Sequence, residues 1–270
     1  MPYQAATAVN LGPEEVAIML GPGMLGSHLG VAFRTEAGIA MLMHLGFHKF
    51  FLVEDYPTTP RAWSAAVVPL PPELNAQVLS LMRVYAETFL KTGEPRPNYG
   101  IALKLTEGSI QADGEYIPNE GSDGHTCSTF VAEAFRAARV PLVKLATWVE
   151  REENKAWGEA VVCMLNTYAK TSGGADTKAG DQAKAVSKNN NGFRLLPEEV
   201  AAAGQLDIRQ LPAAQAAVAE SASIALADMQ SVCDPSEPGP YKHCVDNYRK
   251  KIETLRQQKA AAEPGQAPAA

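Results

Sequence analysis

Apolar and polar positions alternate most strictly over residues 27–34, where Leu29, Val31 and Phe33 point one way and His28, Gly30 and Ala32 the other. A period of two predicts a β-strand. The face shared by His28, Gly30 and Ala32 is small and leaves room for a group from another element. A turn at Thr35-Glu36-Ala37-Gly38 leads to a second strand, residues 39–45, and after Gly46 to a third, residues 47–53. If the pleat runs through Gly46, His44 and His48 share a face. Antiparallel pairing across the first turn makes His28 and His44 near neighbours. Upstream, residues 13–20 suit a strand or a short helix, and Gly21-Pro22-Gly23 a turn. Residues 54–72 are proline-rich and predict surface coil.

The period then lengthens to that of a helix. Leu74, Val78, Leu81, Met82, Tyr85 and Phe89 stripe residues 72–91, and Gly93 stops them. Residues 99–105 read as a strand. A Gly/Asp/Ser segment, Gly121-Ser122-Asp123-Gly124, then runs into Cys127, Phe130, Val131, Ala134, Phe135 and Ala138, one face of a helix that ends before Pro141. Residues 145–168 are helical, with Trp148, Trp157, Val161 and Leu165 as packing residues and Cys163 as a core cysteine. Residues 170–192 are rich in Gly, Ala, Asp, Lys and Asn and predict a mobile loop. Pro197 opens a short helix, residues 212–229 an alanine-rich one, and residues 241–259 a third with a solvated basic face. Residues 260–270 read as a disordered tail.

The loop-to-helix junction is where chemistry concentrates. Thr126 suits an N-cap, which places Cys127 in the first turn. Unpaired N–H groups and the helix dipole there favour a thiolate, and the same N–H groups suit an oxyanion. The ordinary alternative is a cysteine filling a helix face. Thiol chemistry needs a base and a group that orients it, and His28 and His44, with His48 a sheet step beyond, supply candidates. His125 adjoins the nucleophile, but its ring is expected to point outward. Tyr99 offers a hydroxyl before the cysteine loop.

Composition narrows the field. The 270 residues carry a net charge of −6 and 46 % hydrophobic positions, those of a globular protein without the concentrated basic surface that nucleic acid requires. No run reaches transmembrane length, and the N-terminus lacks the pattern of a Sec signal, so synthesis in the cytoplasm is expected, with export by a route needing no cleaved signal left open. Four cysteines are too few and scattered for a disulfide framework, although Cys233 and Cys244 can pair in an oxidising compartment.

Three short motifs carry a resemblance. Ser27-His28-Leu29-Gly30-Val31, then Met43-His44-Leu45-Gly46-Phe47-His48, then Thr126-Cys127-Ser128-Thr129-Phe130-Val131 resemble, in that order, the histidine strand, the strand of the third polar residue and the cysteine helix of circularly permuted NlpC/P60-like proteins, a papain-like group with YiiX-like and lecithin:retinol acyltransferase-like branches. The resemblance covers roughly residues 13–140. It implies an α+β permuted papain-like fold, an antiparallel sheet packed on a cysteine-bearing helix, with added C-terminal helices. The expected division is a catalytic domain over residues 1–204, with a helical extension from 144, and a helical extension over residues 205–270 that offers a docking surface for a protein partner.

The resemblance further implies a cysteine hydrolase cleaving an amide in a peptide or a peptidoglycan stem, as in a bacterial effector, without cofactor or metal. Cys127 is the nucleophile, His28 the base, His44 or alternatively His48 the third member, and Tyr99 an oxyanion donor. The runner-up is a thiol acyltransferase or deacylase acting on a lipid acyl group. Two non-enzymatic readings are Zn²⁺ binding by His28, His44, His48 and Cys127, and an inactive papain-like binding module.

Overall fold

The computed structural model describes residues 3–57, 61–94, 96–171 and 178–262. It is an α+β protein: among the described residues six strands form one sheet and seven α-helices accompany it. The strands are β1 (Gln4–Ala5), β2 (Ala17–Gly23), β3 (Gly26–Arg34), β4 (Ala40–Phe47), β5 (Phe50–Asp55) and β6 (Ser64–Val67). Their order is β1-β6-β2-β3-β4-β5, and every pairing is antiparallel.

The register gives the sheet two distinct faces. Ile18 lies opposite Val31, Val31 opposite Met43 and Met43 opposite Val53, so these residues share the first face. Ile18, Leu20, Leu29, Val31, Phe33, Met43 and Leu45 are fully buried there. The helices α1 (Pro72–Thr92), α2 (Cys127–Ala137) and α5 (Pro197–Ala203) cover this face. Phe51 meets Phe130 of α2 and Tyr85 of α1 edge-on, with centroids 5.2 and 5.3 Å apart. Gly204, which ends α5, sits so close to Ile18 that any side chain would collide with it. The second face carries Ala17, Met19, Ala32, Leu42 and Ala65, roofed by Ala6, Leu11, Val9, Tyr56 and Trp63.

The chain resolves into two compact units. One comprises Met1–Trp148 and Arg194–Ser236; the other comprises Val149–Phe193 and Glu237–Ala270. The expected boundary at residue 204 is not where the chain divides: α5 packs on the sheet and α6 (Gln215–Val232) packs on α5, so both belong with the first unit. The second unit holds α3 (Glu152–Thr171), α4 (Lys178–Asn189) and α7 (Lys242–Ala262).

Several sequence expectations change. The region read as a mobile loop contains α4, because Ala179, Ala183 and Val186 fall at helical spacing and bury; residues 172–177 lie outside the described residues. The coil expected over residues 54–72 contains β6, whose Ser64 hydroxyl donates to the Leu20 carbonyl at 2.7 Å. Gly21-Pro22-Gly23 is strand, and the turn falls after it, at Met24-Leu25. Residues 99–105 give one bridge, Tyr99 beside His125, and then a single 3₁₀ turn. Of the tail expected from residue 260, α7 continues to Ala262, and residues 263–270 lie outside the described residues. Cys244 pairs with Cys163, not with Cys233, so Cys163 is a bridging cysteine rather than a core thiol.

Candidate active site

The cysteine helix begins where the sequence places it. Thr126 is the N-cap: its hydroxyl accepts from the Thr129 N–H at 3.1 Å, and its own N–H donates to the Thr129 hydroxyl at 2.8 Å. This reciprocal pair fixes Cys127 as the first helical residue. The loop leading in is held by a close backbone approach. A Cβ on Gly100 would overlap Asp123, and one on Gly124, at φ +118°, would overlap the Asn98 carbonyl. Across that approach the buried Asp123 carboxylate accepts the N–H groups of Ile101 and Ala102 at 3.0 and 2.9 Å. The same ladder sets Tyr99 beside His125, two residues before the sulfur.

His125 departs from expectation. It is fully buried, with Nε2 2.7 Å from the Ser109 hydroxyl and its ring packed near Tyr116 and Phe130. Burial lowers its pKa to about 4. It serves the packing beneath the loop.

The histidines form a line across three strands. His28 Nε2 lies 2.8 Å from His44 Nδ1, and His44 Nε2 lies 3.2 Å from Glu54 Oε1. The Gly30↔His44 and His44↔Leu52 pairings carry this line from β3 through β4 to β5. Trp63 is the group that occupies the small face beside His28: its ring centroid stands 5.4 Å from each imidazole. It fits because position 21 is glycine; a Cβ there would meet the indole at 2.8 Å. Burial lowers the pKa of His28 to about 4 against an opposing pull from Glu54. Burial likewise lowers that of His44 to about 4, helped by neighbouring His28 and opposed by the charge and hydrogen bond of Glu54. Both rings are therefore neutral at pH 7.

His48 does not share this face in the way the pleat predicts. The ladder shifts between Leu45 and Phe47, and His48-Lys49 form the two-residue turn of a hairpin, with Lys49 at φ +55°. The chain begins its reversal at His48, which lies beyond the end of the β4 strand and is buried in that turn.

By register, the His28 and His44 side chains lie on the second face, whereas α2 covers the first. The Cys127 sulfur nevertheless reaches the strand. The β3–β4 ladder ends at Gly30↔His44, one residue short of Leu29. The Leu29 N–H, part of the peptide that follows His28, approaches the sulfur and favours its anion. The Ser128 hydroxyl is 3.9 Å from the sulfur. Among the described residues no hydrogen bond joins Cys127 to His28, His44 or His48.

Cys127 is 5 % exposed, and burial pushes its thiol pKa up. Leu29, Ser128 and the positive charge of Arg194 oppose that shift without reversing it. The expected resting thiolate is thus replaced by a thiol, because desolvation of the anion outweighs the helix terminus. Tyr99 is also buried, its phenol pushed up by burial and by Cys127 and pulled down by Arg194, so Tyr99, Arg194 and the sulfur share one electrostatic neighbourhood.

The fold and site define an α+β protein with a cysteine at the first position of a capped helix and a His–His–Glu line across an antiparallel sheet. No family model, curated protein or solved structure matches the chain. No helix among the described residues is long and apolar enough to cross a membrane.

Proposed function

We propose that the protein is a cysteine-dependent hydrolase acting on an amide, with a permuted papain-like arrangement. Cys127 is the nucleophile, His28 the general base, His44 the residue that orients it, and Glu54 the outer partner of His44. The observation that carries this reading is the His28–His44–Glu54 line ending one peptide from the Cys127 sulfur. His28 Nε2 is engaged by His44, so Nδ1 is the nitrogen directed to proton transfer. A rotation of the imidazole or the thiol must bring Nδ1 to the sulfur, since no such bond exists at rest. The base removes the thiol proton as sulfur attacks the carbonyl carbon, and returns it to the leaving amine; water then releases the acyl group by the reverse sequence. The Cys127 N–H and the Tyr99 hydroxyl are the oxyanion donors, and Arg194 adds positive charge nearby. A peptide or a peptidoglycan stem is the substrate class in this reading. The disulfide of the helical unit favours a protein that works after export.

A second reading rests on the burial of Cys127: a papain-like binding module in which sulfur and imidazoles only pack. Incubation with peptidoglycan, peptide and acyl-lipid panels separates the two. Hydrolysis by wild type should fall by at least about 10³-fold in Cys127→Ala, with an unchanged circular dichroism spectrum. Equal turnover by the variant would end the assignment, and binding without turnover by either protein would favour the module.

A further inference from the structure

In the helical unit, Cys163 of α3 is bonded to Cys244 of α7, and a third side chain joins them. His243 Nε2 lies 3.2 Å from the Cys244 sulfur and 3.5 Å from the Cys163 sulfur. All three ligand-type atoms lie within 4.8 Å of one another. Thr167, one helical turn beyond Cys163, adds a hydroxyl 3.4 Å from His243 Nε2 and 3.8 Å from the Cys244 sulfur.

A covalent staple needs only its two sulfurs. Consecutive residues on a helix diverge by about 100°, yet the exposed His243 folds back over the sulfur of its own neighbour. The separations also match a specific chemistry. With Zn–S about 2.3 Å and Zn–N about 2.0 Å, the edges of a tetrahedral site are about 3.5 Å for S···N and about 3.8 Å for S···S. The two S···N edges already stand at 3.2 and 3.5 Å. Only the S···S edge must open, and breaking the disulfide opens it.

We propose that Cys163, His243 and Cys244 form a redox-gated site for a soft divalent cation such as Zn²⁺, closed by the disulfide and opened by a thiol reductant. In the gating step the S–S bond takes two electrons and two protons from two reductant thiols, which leave as a disulfide. The cation then displaces both cysteine protons and binds two thiolates and the neutral imidazole, with water in the fourth position. Either form ties α3 to α7, so the cross-link persists while its chemistry changes. The site shares no residue with the one built on Cys127.

The test uses the full chain, reduced with a phosphine and freed of reductant under argon, beside the oxidised protein. Each is titrated with Zn²⁺ against a chromophoric chelator, and with Co²⁺ to read thiolate-to-metal charge-transfer absorption. The reduced protein should take up one equivalent with that absorption and the oxidised protein none. Cys163→Ser should abolish uptake, while Cys127→Ala should leave it unchanged. His243→Ala, at an exposed position, should weaken it roughly tenfold or more. No uptake by reduced protein, equal uptake by the oxidised form, or equal affinity in His243→Ala would overturn the proposal.

Discussion

The sheet unit and the helical unit are held together by different means. In the first, Met1–Trp148 with Arg194–Ser236, the candidate site draws on residues as distant as His28 and Cys127, and every link is non-covalent. Fully buried Phe33, Phe130, Phe135 and Tyr85 keep the elements in place. In the second, the 21-residue α7 buries only Cys244 and Val245, and one of those two is the disulfide cysteine. Where a helix buries little apolar surface, a covalent tie supplies the stability that burial does not. Where burial is dense, polar groups can be fixed in line without one, at the cost of their charge: the two histidines are held neutral and the thiol protonated.

The comparison breaks most visibly at the core of the sheet unit. Phe130 sits one turn after Cys127 and touches Phe51 and Tyr85. Phe130→Ala should cost about 3–5 kcal/mol, measured by denaturant unfolding, and should loosen the cysteine helix enough to speed alkylation of Cys127. A loss below about 1 kcal/mol would mean that packing does not hold that helix.

Opening the staple is next in size. Cys163→Ser with Cys244→Ser, assayed in chelator, should cost about 2–4 kcal/mol in the helical unit. The amide hydrolysis proposed for the Cys127 site should persist, because no residue of that proposed site lies there. If the double variant lost activity, the two units would be functionally coupled and the contrast between them would fail.

The sequence announced some of this and hid the rest for identifiable reasons. The Cys127 helix start was legible because capping and a 3.6-residue stripe are local signals, and Thr126 and Thr129 supply both halves of the cap. The pairing of His28 with His44 was legible because one turn separates their strands. Glu54 was missed because its place depends on the ladder shift at Leu45/Phe47 and the turn at His48-Lys49, which together set the β4–β5 register. The alternation of Phe51 and Val53 with Leu52 and Glu54 was the signal that could have found it. Trp63 lay in a stretch read as coil, and nothing local aims a lone indole at two imidazoles. Cys163 sits among Val161, Val162, Met164 and Leu165, where apolar neighbours imitate a core thiol. The stripe of α4 is alanine and valine, too weak to stand out from its polar composition.

Acid should act through the first unit. The folded pKa values of His28 and His44 lie near 4, below the ordinary 6.5. Between those values the unfolded chain binds protons that the fold excludes, so stability is complete above pH 6.5 and is lost as pH falls toward 4. His125 contributes in the same sense. The loss should be on the order of 2–3 kcal/mol for each histidine between pH 7 and pH 4. It should shrink in His28→Gln and His44→Gln when unfolding is measured across that range. An unchanged slope in both variants would place the titrating groups elsewhere.

The smallest effect is the most discriminating, because Glu54 is the site residue nearest solvent. Its side chain is 48 % exposed and its bond to His44 is 3.2 Å long. Solvent screens such a pair, so Glu54→Gln should reduce kcat/KM only about three- to tenfold. Its direction on pH carries the information. The Glu54 charge raises the pKa of both histidines against the larger effect of burial. Removing that charge while keeping a hydrogen-bonding amide should lower both further. If His28 is the base, the acid limb of the kcat/KM profile, expected near pH 4 to 5, should move to lower pH in the variant. A purely structural glutamate, or a titrating base out of contact with the histidine line, would leave that limb where it was; a limb that stayed or moved upward would overturn the assignment of His28 as a base held by this line.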